Sequence, residues 1–270
     1  MKGRKGFTLI ELLVVIAIIA LLMSIMMPTL SQVKKLAKDT LCMARLRHWG
    51  VIFHIYLEDN NDRFPKTVHF TENEALMKLA KYEKRHKTAQ TQGKEYYGDE
   101  YTYSEMAYCP AATKTIEEGG RPPFATWQYV NSSYGLNLWL GCWGGSTRSG
   151  RPDCWWLPSR VKHPHDIPVF MDCFYEPPPD HCDPTVFFTD PPPEYGQFYS
   201  YGGNDMWRVC IDRHSGGINC LFRDFGARKV GLKELWEIKW NANWFSDSSG
   251  NPYHARPVWP DWMKKYRDYN

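Results

Sequence analysis

Residues Phe7 to Met27 form an almost unbroken apolar run, FTLIELLVVIAIIALLMSIMM, in which Glu11 is the one charge. As a helix rising about 1.5 Å per residue the run is roughly 30 Å long, the thickness of a bilayer's hydrocarbon core. Lys2, Arg4 and Lys5 precede it. The positive-inside rule therefore places the N-terminus in the cytoplasm and the rest of the chain across the membrane. A secretory signal peptide would need a small-residue cleavage site after the run. Here the run closes on Ile25-Met26-Met27-Pro28-Thr29, without that character. A plain signal anchor leaves Glu11 unexplained, because a carboxylate at membrane depth costs about 2.5–3.5 kcal/mol on insertion scales.

The motif Gly6-Phe7-Thr8-Leu9-Ile10-Glu11, behind a basic leader, resembles the class III prepilin processing motif. The resemblance implies cleavage between Gly6 and Phe7 by a prepilin peptidase, N-methylation of Phe7, and Glu11 as the fifth residue of the mature chain. It also implies that Glu11 meets the terminal amine of a neighbouring pilin or pseudopilin subunit. A buried carboxylate and a buried ammonium are each costly alone, so pairing them fixes subunit register more than it adds stability.

Beyond Pro28, which should kink or break the helix, Leu30, Val33, Ala37, Leu41, Ala44, His48, Val51, Ile52, Ile55 and Tyr56 recur at helical spacing. They read as one apolar face of an amphipathic continuation, closed by Asn60-Asn61-Asp62 and Pro65. The expected organisation is a leader at 1–6, a transmembrane helix at 7–28, its amphipathic continuation at 29–62 and a globular head at 63–270. The expected fold class is α+β and pilin-like: the long helix packed on an antiparallel sheet, with a large irregular insertion.

The chain's formal net charge is +3, and removing Lys2, Arg4 and Lys5 from 33 basic residues leaves 30 against 30 acidic ones. No basic block remains, so nucleic acid is not an expected partner. The 8 cysteines suit disulfides in an exported head. None has CxxC spacing, which argues against a zinc ribbon or a thioredoxin-like site. A Cys42–Cys109 bridge tying helix to head is the expected pairing, with two buried free thiols as the alternative.

In the head, Glu74 to His86 has the composition of an exposed helix. Trp127–Val130 and Ser133–Asn137 read as strand and turn, and Val169–Asp172 as a buried strand. Gly231 to Trp240 looks like a short amphipathic helix. Ile218–Phe222 and Ala227–Val230 read as a hairpin around Arg223-Asp224-Phe225-Gly226. The segment from His214 to Asp224 resembles the H-x9-D-G segment of one subset of prepilin-like proteins, which sides with type II secretion pseudopilins over adhesive pili. Phe225 stands where that pattern has Gly.

The head's residues also allow three sharper readings. His214, Asp224 and Asp212 allow an acid/base group, but no nucleophile or oxyanion motif accompanies them, so His214 is read as capping the strand and Asp224 as shaping the turn. No enzyme is expected. Asp172, Glu176, Asp180, Asp183 and Asp190 suit Ca²⁺ by their oxygen ligands, and major pseudopilins bind calcium in a C-terminal loop. The spacing matches no EF-hand, and neither metal nor cofactor is the primary expectation. Trp143, Trp155, Trp156 and Trp207 allow a carbohydrate-binding face, against the alternative that the rings fill the core. The expected function is therefore a structural subunit of a type IV pilus-like filament or type II secretion pseudopilus, held in the inner membrane with its head in the periplasm or outside. The alternative is a surface binding protein using the same export route.

Overall fold

The computed structural model describes residues 8–64, 83–84, 101–102, 106, 108–112, 133–140, 161–173, 191–194, 206–241 and 257–269. Helix α1 spans Leu9–Asp59, 51 residues without interruption. Its start is specified locally. Thr8 takes an extended conformation and accepts from the Glu11 amide, while the Glu11 carboxylate accepts from Thr8 N at 2.8 Å and Thr8 Oγ1 at 2.7 Å. This reciprocal box satisfies amides that the first turn leaves without partners. Pro28 lies within α1, and the helix continues through it. The single long helix through Pro28 is as expected: Pro28 removes one amide donor, and the turns on either side keep their own bonds. The chain leaves α1 through Asn61 and Asp62, both at φ 54°, with Asp62 N bonded to Leu57 O at 2.8 Å.

The head contains a four-stranded antiparallel sheet in the order β3-β4-β5-β6: Tyr134–Leu136, Pro168–Asp172, Gly217–Phe222 and Ala227–Gly231. A separate small pair joins β1 (Glu83–Lys84) to β2 (Tyr101–Thr102). Among the described residues, two single-turn helices follow: α2 (Met206–Val209) between β4 and β5, and α3 (Asp261–Lys264) after the sheet. A long N-terminal helix on an antiparallel sheet makes the chain α+β, as expected. The Val169–Asp172 strand and the hairpin are also where the sequence put them. Gly231–Trp240 differs: Gly231 ends β6, and the rest holds only a 3₁₀ turn at Lys233–Trp236. Leu235, Trp236, Ile238 and Trp240 are all buried, so no exposed helical face survives there.

The hairpin turn explains the displaced glycine. Phe225 N bonds to Phe222 O at 2.9 Å, and Phe222 N to Gly226 O at 2.8 Å, so the loop is Arg223-Asp224-Phe225. Phe225 occupies the left-handed position at φ 62°. Its ring lies 5.1 Å from that of His54 on α1, a contact that offsets backbone strain glycine would not carry.

The core lies between α1 and the sheet. Phe170 of β4 stacks against Trp49 at 5.1 Å and against Phe53 and Tyr134 at 5.6 Å each. Cys42, Leu46, Trp49, Ile52, Phe53, Tyr56 and Leu57 are the buried side of α1. Of the face expected from the sequence, only Ile52 and Tyr56 are buried. Leu30, Val33, Ala37, Leu41, Ala44, His48, Val51 and Ile55 are exposed. The chain carries two helical stripes, and the head covers the one with the larger rings, which bury more area.

Candidate functional site

Two features of α1 bear on function. The first is its free surface. Every residue from Thr8 to Ala37 is exposed. Among the described residues, α1 is the one helix long and apolar enough to cross a membrane, and that stretch is unburied. The misread stripe from Leu30 to Ile55 extends this surface along the side of the helix that faces away from the sheet. Glu11 is exposed at the start of the run and bonded to Thr8. Gly6 and Phe7 lie outside the described residues.

The second feature is a polar group sealed between helix and sheet. Cys42 comes from α1, Cys109 from the segment after Tyr108, Asp172 from the end of β4 and His214 from the loop before β5. All four side chains are buried, and one ligand atom from each lies within 4.8 Å of every other. His214 Nε2 is 3.0 Å from Asp172 Oδ2 and 3.2 Å from Cys109 Sγ. Cys42 Sγ is 3.6 Å from Asp172 Oδ2 and receives the Tyr134 hydroxyl at 3.3 Å.

A second layer orients these groups. His214 Nδ1 is 3.2 Å from Asp39 Oδ1, one turn before Cys42 on α1. Asn219 Nδ2 donates to the same oxygen at 2.7 Å. Asp172 accepts from Arg213 Nη1 at 3.0 Å and from the Asn219 amide at 2.9 Å. Arg213 also donates to the carbonyls of Ser133 and Cys173. The Cys109 amide donates to Ser133 Oγ. Asp39 on α1, Ser133 and Tyr134 at the start of β3, and Asn219 on β5 thereby hold the group from three sides of the fold.

The electrostatics follow. Burial opposes charge on Asp172, but the His214 hydrogen bond and the charges of His214 and Arg213 outweigh it and hold the carboxyl well below its usual range. Burial also opposes charge on His214, yet the hydrogen bonds to Asp172 and Cys109 raise it to about 10. Burial, then the Cys42 hydrogen bond and the Asp172 charge, push the Cys109 thiol up. Without a bound cation, the group holds a charged His214–Asp172 pair beside the neutral Cys109 thiol.

The expected Cys42–Cys109 bridge is corrected in kind. The two cysteines do meet, but as free thiols. Their sulfurs share a four-residue group with His214 and Asp172, without the roughly 2.05 Å bond of a disulfide. Cys210 and Cys220 are also free thiols, and buried. Asp172 is not part of an acidic loop: it ends a buried strand and is committed to Arg213, Asn219 and His214. Glu176, Asp180, Asp183 and Asp190 lie outside the described residues.

The three groups weighed for acid/base work take different partners. Asp224 accepts from the Gly226 amide at 2.9 Å, shaping the turn as expected. Asp212 accepts from the Gly216 amide and the Tyr266 hydroxyl, both at 2.5 Å. His214 does more than cap a strand, since its ring is the centre of the buried group. Trp207, one of the candidate sugar-binding rings, is buried at 3% exposure. Trp143, Trp155 and Trp156 lie outside the described residues. Sequence reasoning missed Asp39 and the role of Asp172, because the group's members come from four distant segments. The only local signal was the Arg213-His214 dipeptide just before a strand.

Comparison with known proteins bears on the N-terminal feature. Residues 1–27 match the family described as "Prokaryotic N-terminal methylation motif". The chain is similar to the type IV wide pilus major component PilA4 of Thermus thermophilus, 42% identical over 77 residues. That alignment covers 28% of this chain and 53% of the relative, so the chain spans about half the length of the curated relative it matches. No solved structure matches the chain.

Proposed function

We propose that this chain, prepilin-like in its N-terminal segment and α+β in fold, is a membrane-held subunit of a type IV pilus-like filament. In this reading a prepilin peptidase cuts between Gly6 and Phe7, and Phe7 is N-methylated. The helix anchors the protein in the inner membrane with the head on the far side, and Glu11 pairs with the terminal amine of a neighbouring subunit during assembly. A type II secretion pseudopilus is the same structural role in a different machine, and the His214–Asp224 segment is the feature that sides with it.

One observation carries the reading. The apolar surface of α1 runs from the bilayer-length segment into the Leu30–Ile55 stripe, and the head covers none of it. In a lone soluble molecule, apolar surface of this extent is a liability. Membrane lipid and then the helices of other subunits would cover it in turn. The match of residues 1–27 to the methylation motif supports this reading.

Mass spectrometry of the protein isolated from its native envelope tests the proposal. A mature N-terminus at Phe7 carrying one methyl group is the expected result. An N-terminus downstream of Pro28, or an intact Met1, would sink it.

A further inference from the structure

We propose that Cys42, Cys109, Asp172 and His214 form a closed structural site for a divalent transition-metal ion, zinc by its ligand chemistry, that fastens α1 to the sheet. The inference is independent of the filament reading, since metal binding by the isolated chain does not require assembly.

The ligand set comes first. Two thiolates, an imidazole and a carboxylate are ligands zinc uses, and tetrahedral coordination by protein groups alone is its structural mode. Sulfur disfavours calcium and magnesium, which take oxygen. The spacing agrees. Zinc bonds of about 2.3 Å to sulfur and 2.0–2.1 Å to nitrogen or oxygen give tetrahedron edges of about 3.3–3.8 Å. The distances found are 3.0 Å for His214 Nε2 to Asp172 Oδ2, 3.2 Å for His214 Nε2 to Cys109 Sγ, and 3.6 Å for Cys42 Sγ to Asp172 Oδ2. On these three edges an adjustment of a few tenths of an ångström accommodates the ion, and every other pair of ligand atoms lies within 4.8 Å.

The ring nitrogens point the same way. His214 Nε2 faces a carboxylate oxygen and a sulfur at once, so without an ion one N–H is shared between two acceptors. A cation between them accepts the nitrogen lone pair and binds the other two ligands as well. The opposite nitrogen, Nδ1, faces Asp39. A carboxylate behind the distal nitrogen is the usual support of a metal-bound histidine, because it fixes the tautomer and the ring orientation. Tyr134 donates to Cys42 and Arg213 to Asp172, each stabilising an anionic ligand.

Zn²⁺ with two thiolates and the Asp172 carboxylate carries one negative charge, which buried Arg213 beside it offsets, while Asp39 behind His214 is partly exposed to water. Binding releases the two thiol protons and the Nε2 proton to solvent, while the Nδ1 proton stays directed at Asp39. Two thiols this close in an oxidising compartment tend to bond unless something holds them, and metal ligation does so.

The test uses the full-length chain, purified in detergent without chelator. Elemental mass spectrometry should find about one zinc per chain, and X-ray absorption should find two sulfur and two lighter ligands at about 2.3 and 2.0–2.1 Å. Cys42→Ser and Cys109→Ser should each cut the zinc content at least tenfold, and Cys210→Ser, a buried cysteine outside the group, should leave it unchanged. Should the cluster variants fail to fold, cobalt(II) added to the reduced wild-type chain decides the matter, through thiolate charge-transfer bands and tetrahedral ligand-field bands. Reduced wild-type protein that takes up neither zinc nor cobalt overturns the proposal, leaving a hydrogen-bonded His214–Asp172 pair with two thiols. A Cys42–Cys109 disulfide in protein taken directly from the envelope overturns it equally.

Discussion

Arg213 Nη1 donates to Asp172 Oδ1 across 3.0 Å, and neither side chain reaches solvent. Breaking such a pair strands a charge in the core, which costs about 3–5 kcal/mol. Arg213→Met should therefore lower stability by about that amount in denaturant unfolding. The exposed Lys264–Asp261 pair is the contrast, since surface pairs contribute little. Lys264→Met should leave the unfolding midpoint unchanged within error. Equal losses from both variants would contradict the burial argument.

Glu11 has two separable roles, and one substitution distinguishes them. Glutamine at the third helical position still accepts from the N-cap amide, so Glu11→Gln keeps the box with Thr8 while removing the charge. Under the assembly proposal, cleavage and N-methylation stay normal and filament incorporation is lost. Normal incorporation of Glu11→Gln would assign Glu11 to capping alone.

Gly50 sets how closely α1 approaches the sheet. A Cβ there would sit 3.0 Å from Leu221 Cδ1 and 3.4 Å from Phe225 O. Alanine gains about 1 kcal/mol of helix propensity against that tight fit, so Gly50→Ala should be near neutral. Gly50→Val adds branches that have no space and should destabilise by about 1–3 kcal/mol. Thermal unfolding of the two variants measures the difference, and a valine variant as stable as alanine would rule out close approach.

The glycines of the hairpin should rank by what obstructs them. At Gly217 a Cβ would lie 2.3 Å from the Val230 carbonyl oxygen, which is backbone of the paired strand. At Gly231 the obstacle is the Tyr269 hydroxyl at 2.1 Å, the end of a side chain near the C-terminus. Gly217→Ala should therefore lower the unfolding midpoint more than Gly231→Ala. The reverse order would show that the tail holds the head together more firmly than the strand pair.

Phe225 offers a test of the hairpin turn. Phe225→Gly and Phe225→Ala both lose the ring that packs on His54, but only alanine keeps the left-handed strain at φ 62°. The glycine variant should be the more stable of the two by about 1 kcal/mol. Equal stabilities would mean that the turn relaxes when the ring is gone.

The parts of the molecule specified by neighbours in sequence were legible in it. The apolar run, the Asn60–Asp62 stop, the Val169–Asp172 strand and the hairpin each follow from local pattern. The packed side of α1 was not legible. Leu30-Val33-Leu41-Val51-Ile55 and Cys42-Leu46-Trp49-Phe53-Tyr56 are equally periodic, and only the partner surface decides between them. The buried group was illegible for a related reason. Its four members come from a helix, a loop, a strand end and a pre-strand loop, and no short spacing links them. The Cys42–Cys109 expectation found the right neighbours with the wrong bond.

Along α1, Cys42 is the first residue from the N-terminus to be fully enclosed by the head. One turn earlier Asp39 is already bonded to Asn219 of β5 and to His214, and the next buried contacts follow at Leu46 and Trp49. If the anchor is pulled away from the head along the helix axis, the load reaches Asp39 and the Cys42–His214 group it supports before the ring contacts farther along the interface. The sheet lies alongside the helix there, so the load acts in shear, and several bonds resist it together. Whatever joins those four side chains therefore sets the force at which head and anchor part.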